Sequence, residues 1–128
     1  FVSATYEPIA AKVVGRLGQK NALVRATKVV ERDFFVEGFA GPLMEGRRKA
    51  IEVRKISREL RVPFSKFVAI GDGTLDAQFI RRVVDAGGLG IAVSPNPSLI
   101  ANSKAQLVLQ KTNFGRIWRE VEKFRQVF

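Results

Sequence analysis

Cysteine and histidine are both absent from this sequence of 128 residues. Without cysteine, the chain has no disulfide framework, no thiolate metal site and no cysteine nucleophile. Without histidine, it has neither Ser-His-Asp catalysis nor a histidine-ligated zinc ion. Any metal that its side chains hold must therefore be bound through oxygen, which favours Mg²⁺, Ca²⁺ or Mn²⁺.

Long apolar runs are missing as well. No run approaches the roughly 20 residues that a membrane-spanning helix requires, and no secretory signal pattern opens the chain. We therefore expect a cytoplasmic protein that has no membrane among its partners. The chain begins with Phe1 and enters a predicted strand at once, so we also expect it to be a piece of a longer polypeptide or a product of cleavage.

Acidic residues are few beside the basic ones, because 12 Asp and Glu stand against 22 Lys and Arg, for a net charge of +10. Such an excess suits the phosphates of nucleic acids. Most of the basic residues, however, recur between apolar positions, as on solvated helix faces. No recognition motif and no clear interleaving of aromatic residues accompanies them. We therefore expect no nucleic-acid partner, and a basic nucleic-acid module is a distant alternative.

The sequence does contain a regular alternation of predicted strands and helices. Extended segments are expected at 1–6, 22–43 (with a hairpin turn at 31–33), 66–72, 89–95 and 106–110. Helices are expected at 7–18, 47–60, 75–88, 97–105 and 114–128. Repeated strand–helix units with short loops predict one doubly wound α/β domain over residues 1–128, with a parallel sheet flanked by helices.

The last predicted helix, 114–128, is amphipathic. Its apolar positions fall on one face at helical spacing, and they are Phe114, Ile117, Trp118, Val121, Phe124 and Phe128. Such a face can dock on a membrane surface, but we expect it to pack on the body of the domain.

Polar residues follow the predicted strands, at the edge of a parallel sheet where ligands bind. Ser3, Asp72 and Ser94 lie at such strand ends or at the start of the next helix. Asp72 stands between two glycines in the stretch VAIGDGTLD (68–76), which lets the backbone approach a ligand closely. Asp76 follows one helical turn later, on the same side.

These residue types allow more than one interpretation. Asp72 and Asp76 could hold Mg²⁺ directly or through water. Alternatively, Asp72 is a turn residue and Asp76 is favoured by the helix dipole. Ser3 could offer a hydroxyl and an N–H group to an anion, or be an ordinary strand-end serine. Lys49 could offer a charge to phosphate, or be solvated like most lysines of basic runs.

Three segments together resemble the haloacid-dehalogenase-like (HAD) hydrolases, particularly the subgroup similar to phosphoserine phosphatase. VSATYEPIAAKVVGRLG (2–18) looks like the second motif of the family, and FAGPLMEGRRKAI (39–51) looks like the approach to the third. The fourth motif and its sequel look like 68–109, where the resemblance is most specific. It covers roughly residues 2 to 110.

The resemblance implies a three-layer Rossmann-like core with a parallel sheet, and a Mg²⁺-dependent phosphomonoester hydrolase acting through an aspartyl-phosphate. It implies that Ser3 and Lys49 bind the phosphoryl group of a small phosphorylated metabolite. It also implies that Asp72 is a ligand of Mg²⁺ and that Asp76 supports the metal or its water. Lys49, Asp72 and Asp76 are thus the catalytic residues that the family predicts.

Two departures from the family pattern stand out. Leu75 occupies the place of the usual Asn before the second aspartate. The first motif, an apolar strand ending in DxDx(T/V), is absent, since neither Asp33 nor Asp85 follows such a strand. We therefore expect this chain to be the C-terminal part of a HAD core, lacking the first catalytic strand and the cap, and inactive alone.

The nucleophile would then come from a lost or cleaved N-terminal segment, or from a complementary chain that carries the DxD motif. Two alternatives to the phosphatase stay open. One is a non-catalytic binding or regulatory protein of the same fold, which Leu75 and the missing motif favour. The other is the phosphorylation domain of a cation-pumping ATPase, whose sequence resembles 71–114 as well.

Overall fold

The structure, a computed structural model, describes residues 1–18, 21–33, 35–93 and 96–127. The chain divides into two compact units, the N-terminal unit Phe1–Glu52 and the C-terminal unit Val53–Phe128. Helix α2 (Gly46–Leu60) contains the division between them. Each unit has strands and sheets of its own, and the two are described in turn.

The N-terminal unit begins with a strand–helix–strand segment. Strand β1 (Val2–Tyr6) leads directly into α1 (Glu7–Arg16), and the chain returns in β2 (Arg25–Thr27) parallel to β1. Pro8 lies in the first turn of α1, where its missing N–H group removes no hydrogen bond of the helix. The predicted strand at 1–6 and helix at 7–18 are thus confirmed to within two residues.

A hairpin follows β2. Strands β3 (Val29–Arg32) and β4 (Phe35–Phe39) pair antiparallel, with Arg32 opposite Phe35. The turn was expected at residues 31–33. Glu31 and Arg32 instead belong to β3, because the strand pairing continues up to the loop, where Arg32 pairs with Phe35. Asp33, the first loop residue, has a φ of 48°, a left-handed conformation that such loops require and aspartate tolerates.

The C-terminal unit contains a three-stranded parallel sheet and its helices. The elements are β5 (Val68–Gly71), α3 (Ala77–Asp85), β6 (Leu89–Val93), α4 (Pro97–Ser103), β7 (Leu107–Leu109) and α5 (Phe114–Arg125). The strand order is β5-β6-β7, and β5 pairs with β6 in continuous register from Val68–Leu89 to Gly71–Ala92. Helix α3 contacts β5 and β6, α4 contacts α3 and β6, and α5 contacts β6. The predicted α/β fold with a parallel sheet is confirmed.

The core of the C-terminal unit lies between α3, α4 and the sheet. Ile80 and Val83 of α3, Ile91 of β6 and Leu99 of α4 are fully buried. The helical spacing of residues 79, 80, 83 and 84 predicted this inward face. The helix itself begins at Ala77, after a 3-10 turn over Thr74–Asp76, and not at residue 75. In the described ranges, no helix is long and apolar enough to cross a membrane.

Candidate functional site

The loop between β5 and α3 is closed by the carboxylate of Asp76. Its Oδ2 atom accepts hydrogen bonds from the backbone N–H groups of Asp72, at 3.2 Å, and of Gly73, at 3.1 Å. The N–H group of Asp76 in turn donates to the carbonyl oxygen of Gly73 at 2.9 Å. Asp76 is 6% exposed. One side chain therefore holds the backbone that leaves the carboxyl end of β5.

Gly71 makes room for this carboxylate. A Cβ atom at Gly71 would lie 2.5 Å from Cβ and 2.8 Å from Oδ2 of Asp76, which is too close for any side chain. At Gly73 the nearest atom would be the same Oδ2, at an ordinary 3.6 Å. The sequence suggested that both glycines let a ligand approach. Gly71 lets Asp76 approach the backbone, a role that the spacing of the residues did not reveal.

Asp72 itself is exposed. Within residues 1–18, 21–33, 35–93 and 96–127, no side chain forms an ion pair with its carboxylate. It lies just beyond Gly71, the last residue of β5, at the edge of a parallel sheet where ligands bind. The neighbouring strand β6 ends at Val93. Ser94, the third predicted strand-end residue, lies outside the described residues.

The loop after β5 brings two carboxyl groups, those of Asp72 and Asp76, to the end of the strand. Among the described residues there is no group of three or more Asp, Glu, His or Cys side chains that could hold a metal ion. Magnesium is usually bound by one or two carboxylates and completed by waters and substrate phosphate. The two carboxyl groups of this loop, one exposed and one fixed, match that requirement. Leu75, between them in sequence, is 46% exposed, and its side chain offers no ligand atom.

Ser3 and Lys49 both belong to the N-terminal unit, whereas Asp72 and Asp76 belong to the C-terminal unit. Ser3 lies in β1, and its Oγ accepts a hydrogen bond from the N–H group of Thr5 at 3.1 Å. Its hydroxyl proton can still be donated, because a serine hydroxyl both donates and accepts. Lys49 lies near the start of α2 and is 8% exposed.

The start of α2 contains more basic residues than Lys49, the one that the sequence predicted to be functional. Arg47, Arg48 and Lys49 follow Gly46 directly, and the first turn contains no acidic residue. The positive end of the helix dipole disfavours cations there and favours anions. Arg48 is paired with Glu52, whose Oε1 lies 3.5 Å from its Nε. Arg47 is exposed and has no ion pair in the described part of the chain. In the sequence, the signal for this basic surface was the position of the run Arg47–Lys49 at the start of a predicted helix.

No protein-family model matches the sequence. Solved structures nevertheless share its fold. A HAD-family hydrolase from Salmonella enterica subsp. enterica serovar Typhi matches 94% of this chain, with a TM-score of 0.79 and 18% sequence identity. A probable phosphoserine phosphatase from Vibrio cholerae in unliganded form matches 98%, with a TM-score of 0.75 and 18% identity.

A third structure, a phosphoserine phosphatase in apo form, matches 91% of this chain, with a TM-score of 0.72 and 21% identity. The chain spans 39%, 38% and 55% of the lengths of these three chains, respectively. The fold is therefore that of HAD hydrolases and phosphoserine phosphatases, as the sequence motifs predicted. What is present corresponds to part of those longer chains.

Proposed function

We propose that this chain is the C-terminal part of a Mg²⁺-dependent phosphomonoester hydrolase whose nucleophile lies outside it. The observation that carries the proposal is the loop after β5, where the Asp76 carboxylate holds the backbone of Asp72 and Gly73 at 3.1–3.2 Å. This arrangement leaves the Asp72 carboxylate exposed at the carboxyl end of a parallel strand. A loop that is held by two hydrogen bonds and presents one exposed carboxylate suits a metal ion shared with a phosphate.

Each residue then has a distinct role. Asp72 would hold Mg²⁺ directly, and Asp76 would support the metal or its water. The metal, when bound, would neutralise charge on the phosphoryl oxygens of a small phosphorylated metabolite. Ser3 would donate its hydroxyl proton to a phosphoryl oxygen, and the Lys49 ammonium group would contribute a positive charge.

The nucleophile is not among the aspartates present. The sequence has four aspartates. Asp33 lies in the turn of the β3–β4 hairpin, and Asp85 binds Lys104 at 3.1 Å and Arg81 at 3.5 Å. With Asp72 and Asp76 holding the metal, the attacking carboxylate has to come from another segment. In our proposal, that carboxylate displaces the substrate alcohol, and water then hydrolyses the aspartyl-phosphate.

The test is hydrolysis of p-nitrophenyl phosphate by this chain alone and by the chain completed with a segment that carries DxDx(T/V). We expect no turnover from the chain alone. The completed protein should reach an ordinary enzymatic rate, on the order of 1–1,000 per second, and lose it when EDTA removes Mg²⁺. Asp72→Asn should abolish the activity, whereas the matched control Asp85→Asn should keep it. Ordinary turnover by the isolated chain would show that the proposal is wrong.

A second candidate function is a non-catalytic binding protein of the same fold. The observation that favours it is Leu75, which is 46% exposed beside Asp76 and cannot make a polar contact. Such a protein, when completed, would bind Mg²⁺ and inorganic phosphate in calorimetry without hydrolysing the ester. Leu75→Asn would then restore turnover if the missing amide alone is responsible. Activity of the completed protein with Leu75 in place would eliminate this candidate.

A further inference from the structure

Strand β1 is irregular in the part that contains Ser3. Val2 lies opposite Arg25 of β2, and Tyr6 lies opposite Thr27, so four steps along β1 match only two along β2. The three residues between Val2 and Tyr6 therefore cannot all pair with β2 in regular register. Irregularities of this kind redirect side chains and are frequent next to active sites.

A buried hydroxyl group holds this part of β1. Oγ1 of Thr27 donates to the carbonyl oxygen of Ala4, the residue after Ser3, at 2.9 Å. The same Oγ1 atom accepts the N–H group of Met44 at 3.0 Å. Because an N–H group can only donate, the single hydroxyl proton of Thr27 is the one that reaches Ala4. Thr27 is 1% exposed and Met44 is 6% exposed, so solvent has little access to these two hydrogen bonds.

Ser3 lies on the backbone that this hydroxyl holds. Its Oγ accepts the N–H group of Thr5 at 3.1 Å, which leaves the hydroxyl proton of Ser3 available to a ligand. Ala4, whose carbonyl oxygen accepts the proton of Thr27, is the residue between Ser3 and Thr5. The hydrogen bond from Thr27 therefore falls inside this short turn and restrains the backbone from which the Ser3 side chain projects.

We propose that Thr27 is a positioning residue for phosphate binding, because its buried hydroxyl fixes the irregular part of β1 and thereby the direction of the Ser3 hydroxyl. This inference rests on the proposed function, in which Ser3 donates to a phosphoryl oxygen. Thr27 acts only through Ser3, since its own hydroxyl is buried and both donates and accepts within the chain. A displacement of a binding group by about 1 Å can lower the rate by about a hundredfold. Loss of the Thr27 hydroxyl therefore has a measurable kinetic consequence.

The kinetic test uses the completed protein and p-nitrophenyl phosphate. Thr27→Val keeps the shape of the side chain and removes its hydroxyl, and we expect kcat/KM to fall by about tenfold or more. Thr27→Ser keeps the hydroxyl and should recover most of this loss. In a Ser3→Ala background, Thr27→Val should lower kcat/KM by about twofold at most, because the residue through which Thr27 acts is already changed. Equal losses with and without the Ser3 hydroxyl would show a purely structural role and overturn the inference.

A matched control is Thr5→Val, which removes an exposed hydroxyl from the same strand and keeps the N–H group that Ser3 accepts. It should keep kcat/KM within about twofold of the unchanged protein. Far-UV circular dichroism checks that each variant is folded under the conditions of the assay. A loss for Thr5→Val as large as that for Thr27→Val would overturn the inference, as would an unchanged kcat/KM in Thr27→Val.

A second measurement needs no activity and so separates this inference from the proposed function. Amide hydrogen exchange is followed by NMR in the 128-residue chain. In Thr27→Val, the N–H group of Thr5 should exchange on the order of tenfold faster, whereas that of Gly73, in the C-terminal unit, should change much less. Unchanged exchange at Thr5, or equal acceleration at Gly73, would overturn the inference. An inactive completed protein would refute the proposed function, while faster exchange at Thr5 alone would still show that Thr27 holds the backbone of Ser3.

Discussion

Replacing Asp76 with alanine tests whether its carboxylate holds the β5–α3 loop. The substitution removes the oxygen that accepts the N–H groups of Asp72 and Gly73. Both donors then lack a protein acceptor at the carboxyl end of β5. We expect the C-terminal unit to lose stability and the completed protein to lose the phosphatase activity that we propose.

The size of the effect follows from the two hydrogen bonds. A hydrogen bond to a charged acceptor contributes about 1.5–3 kcal/mol to stability. The two distances, 3.2 and 3.1 Å, are long for charge-assisted bonds, so the lower figure applies to each. The expected loss is therefore about 3 kcal/mol, a large fraction of the 5–15 kcal/mol by which domains are ordinarily stable.

Two companion variants calibrate this result. Asp76→Asn keeps an acceptor oxygen and loses only the charge, so its cost should be about 1 kcal/mol. Asp72→Ala removes an exposed carboxylate and should change stability by less than about 0.5 kcal/mol. Urea titration followed by far-UV circular dichroism measures all three, provided that the slope of the unfolding free energy against urea concentration stays constant. If Asp76→Ala and Asp72→Ala unfold at the same urea concentration, Asp76 does not hold the loop and the reasoning fails.

Three further predictions concern single contacts. Gly71→Ala should destabilise the protein by about 1–3 kcal/mol, because its Cβ would lie 2.5 Å from Cβ of Asp76. Gly73→Ala should have little effect, because Gly73 has a φ of −106° and its Cβ would lie 3.6 Å from the nearest atom. If urea titration showed Gly73→Ala to be the less stable variant of the two, the result would contradict the structure. Thr27→Val should cost about 1–3 kcal/mol, because the buried hydroxyl donates to Ala4 and accepts from the N–H group of Met44. The exposed Thr5→Val is its control, and equal unfolding midpoints would refute the role of that hydroxyl. A hydrogen bond from Lys104, aided by Arg81, holds the pKa of Asp85 below its ordinary value. Lys104→Ala should therefore raise the pKa of Asp85 in an NMR titration. It should also remove the stability that this pair contributes, which is present above the ordinary carboxyl pKa and is lost as the pH falls through the lowered pKa of Asp85. An unchanged pKa would contradict this prediction.

The secondary structure was predictable because the apolar residues recur at the spacing typical of strands and helices. Residues 68–70 and 89–93 are short apolar runs, as buried parallel strands require, and the inward residues of α3 recur at helical spacing. Burial was less predictable than element type. Ile9, Val13 and Leu17 have the spacing of an amphipathic helix, and α1 forms there, but all three side chains are about half exposed or more. Spacing determines which residues share a face, whereas burial depends on what packs against that face.

The loop after β5 shows the same distinction. The four-residue spacing of Asp72 and Asp76 predicted that they lie on one side, and the structure places the carboxylate of Asp76 against the backbone of Asp72. The spacing could not show that Asp76 would be nearly buried while Asp72 stays exposed. That difference arises from Gly71, whose missing side chain leaves the space that Asp76 occupies. A close approach between residues five apart is a tertiary fact that residue type alone does not specify.

The two interpretations of Asp76, loop support and metal support, need not compete. Both backbone hydrogen bonds end on Oδ2, and a carboxylate offers about four lone-pair sites on two oxygens. Holding the loop therefore does not exhaust what the group can bind. Asp76→Asn divides the two roles, because an amide oxygen can still accept the loop N–H groups but brings no negative charge to a cation. In our proposal, that variant stays folded with a modest loss of stability, while the Mg²⁺ concentration needed for activity rises in the completed protein. A loss of stability as large as that of Asp76→Ala would instead mean that the charge itself holds the loop.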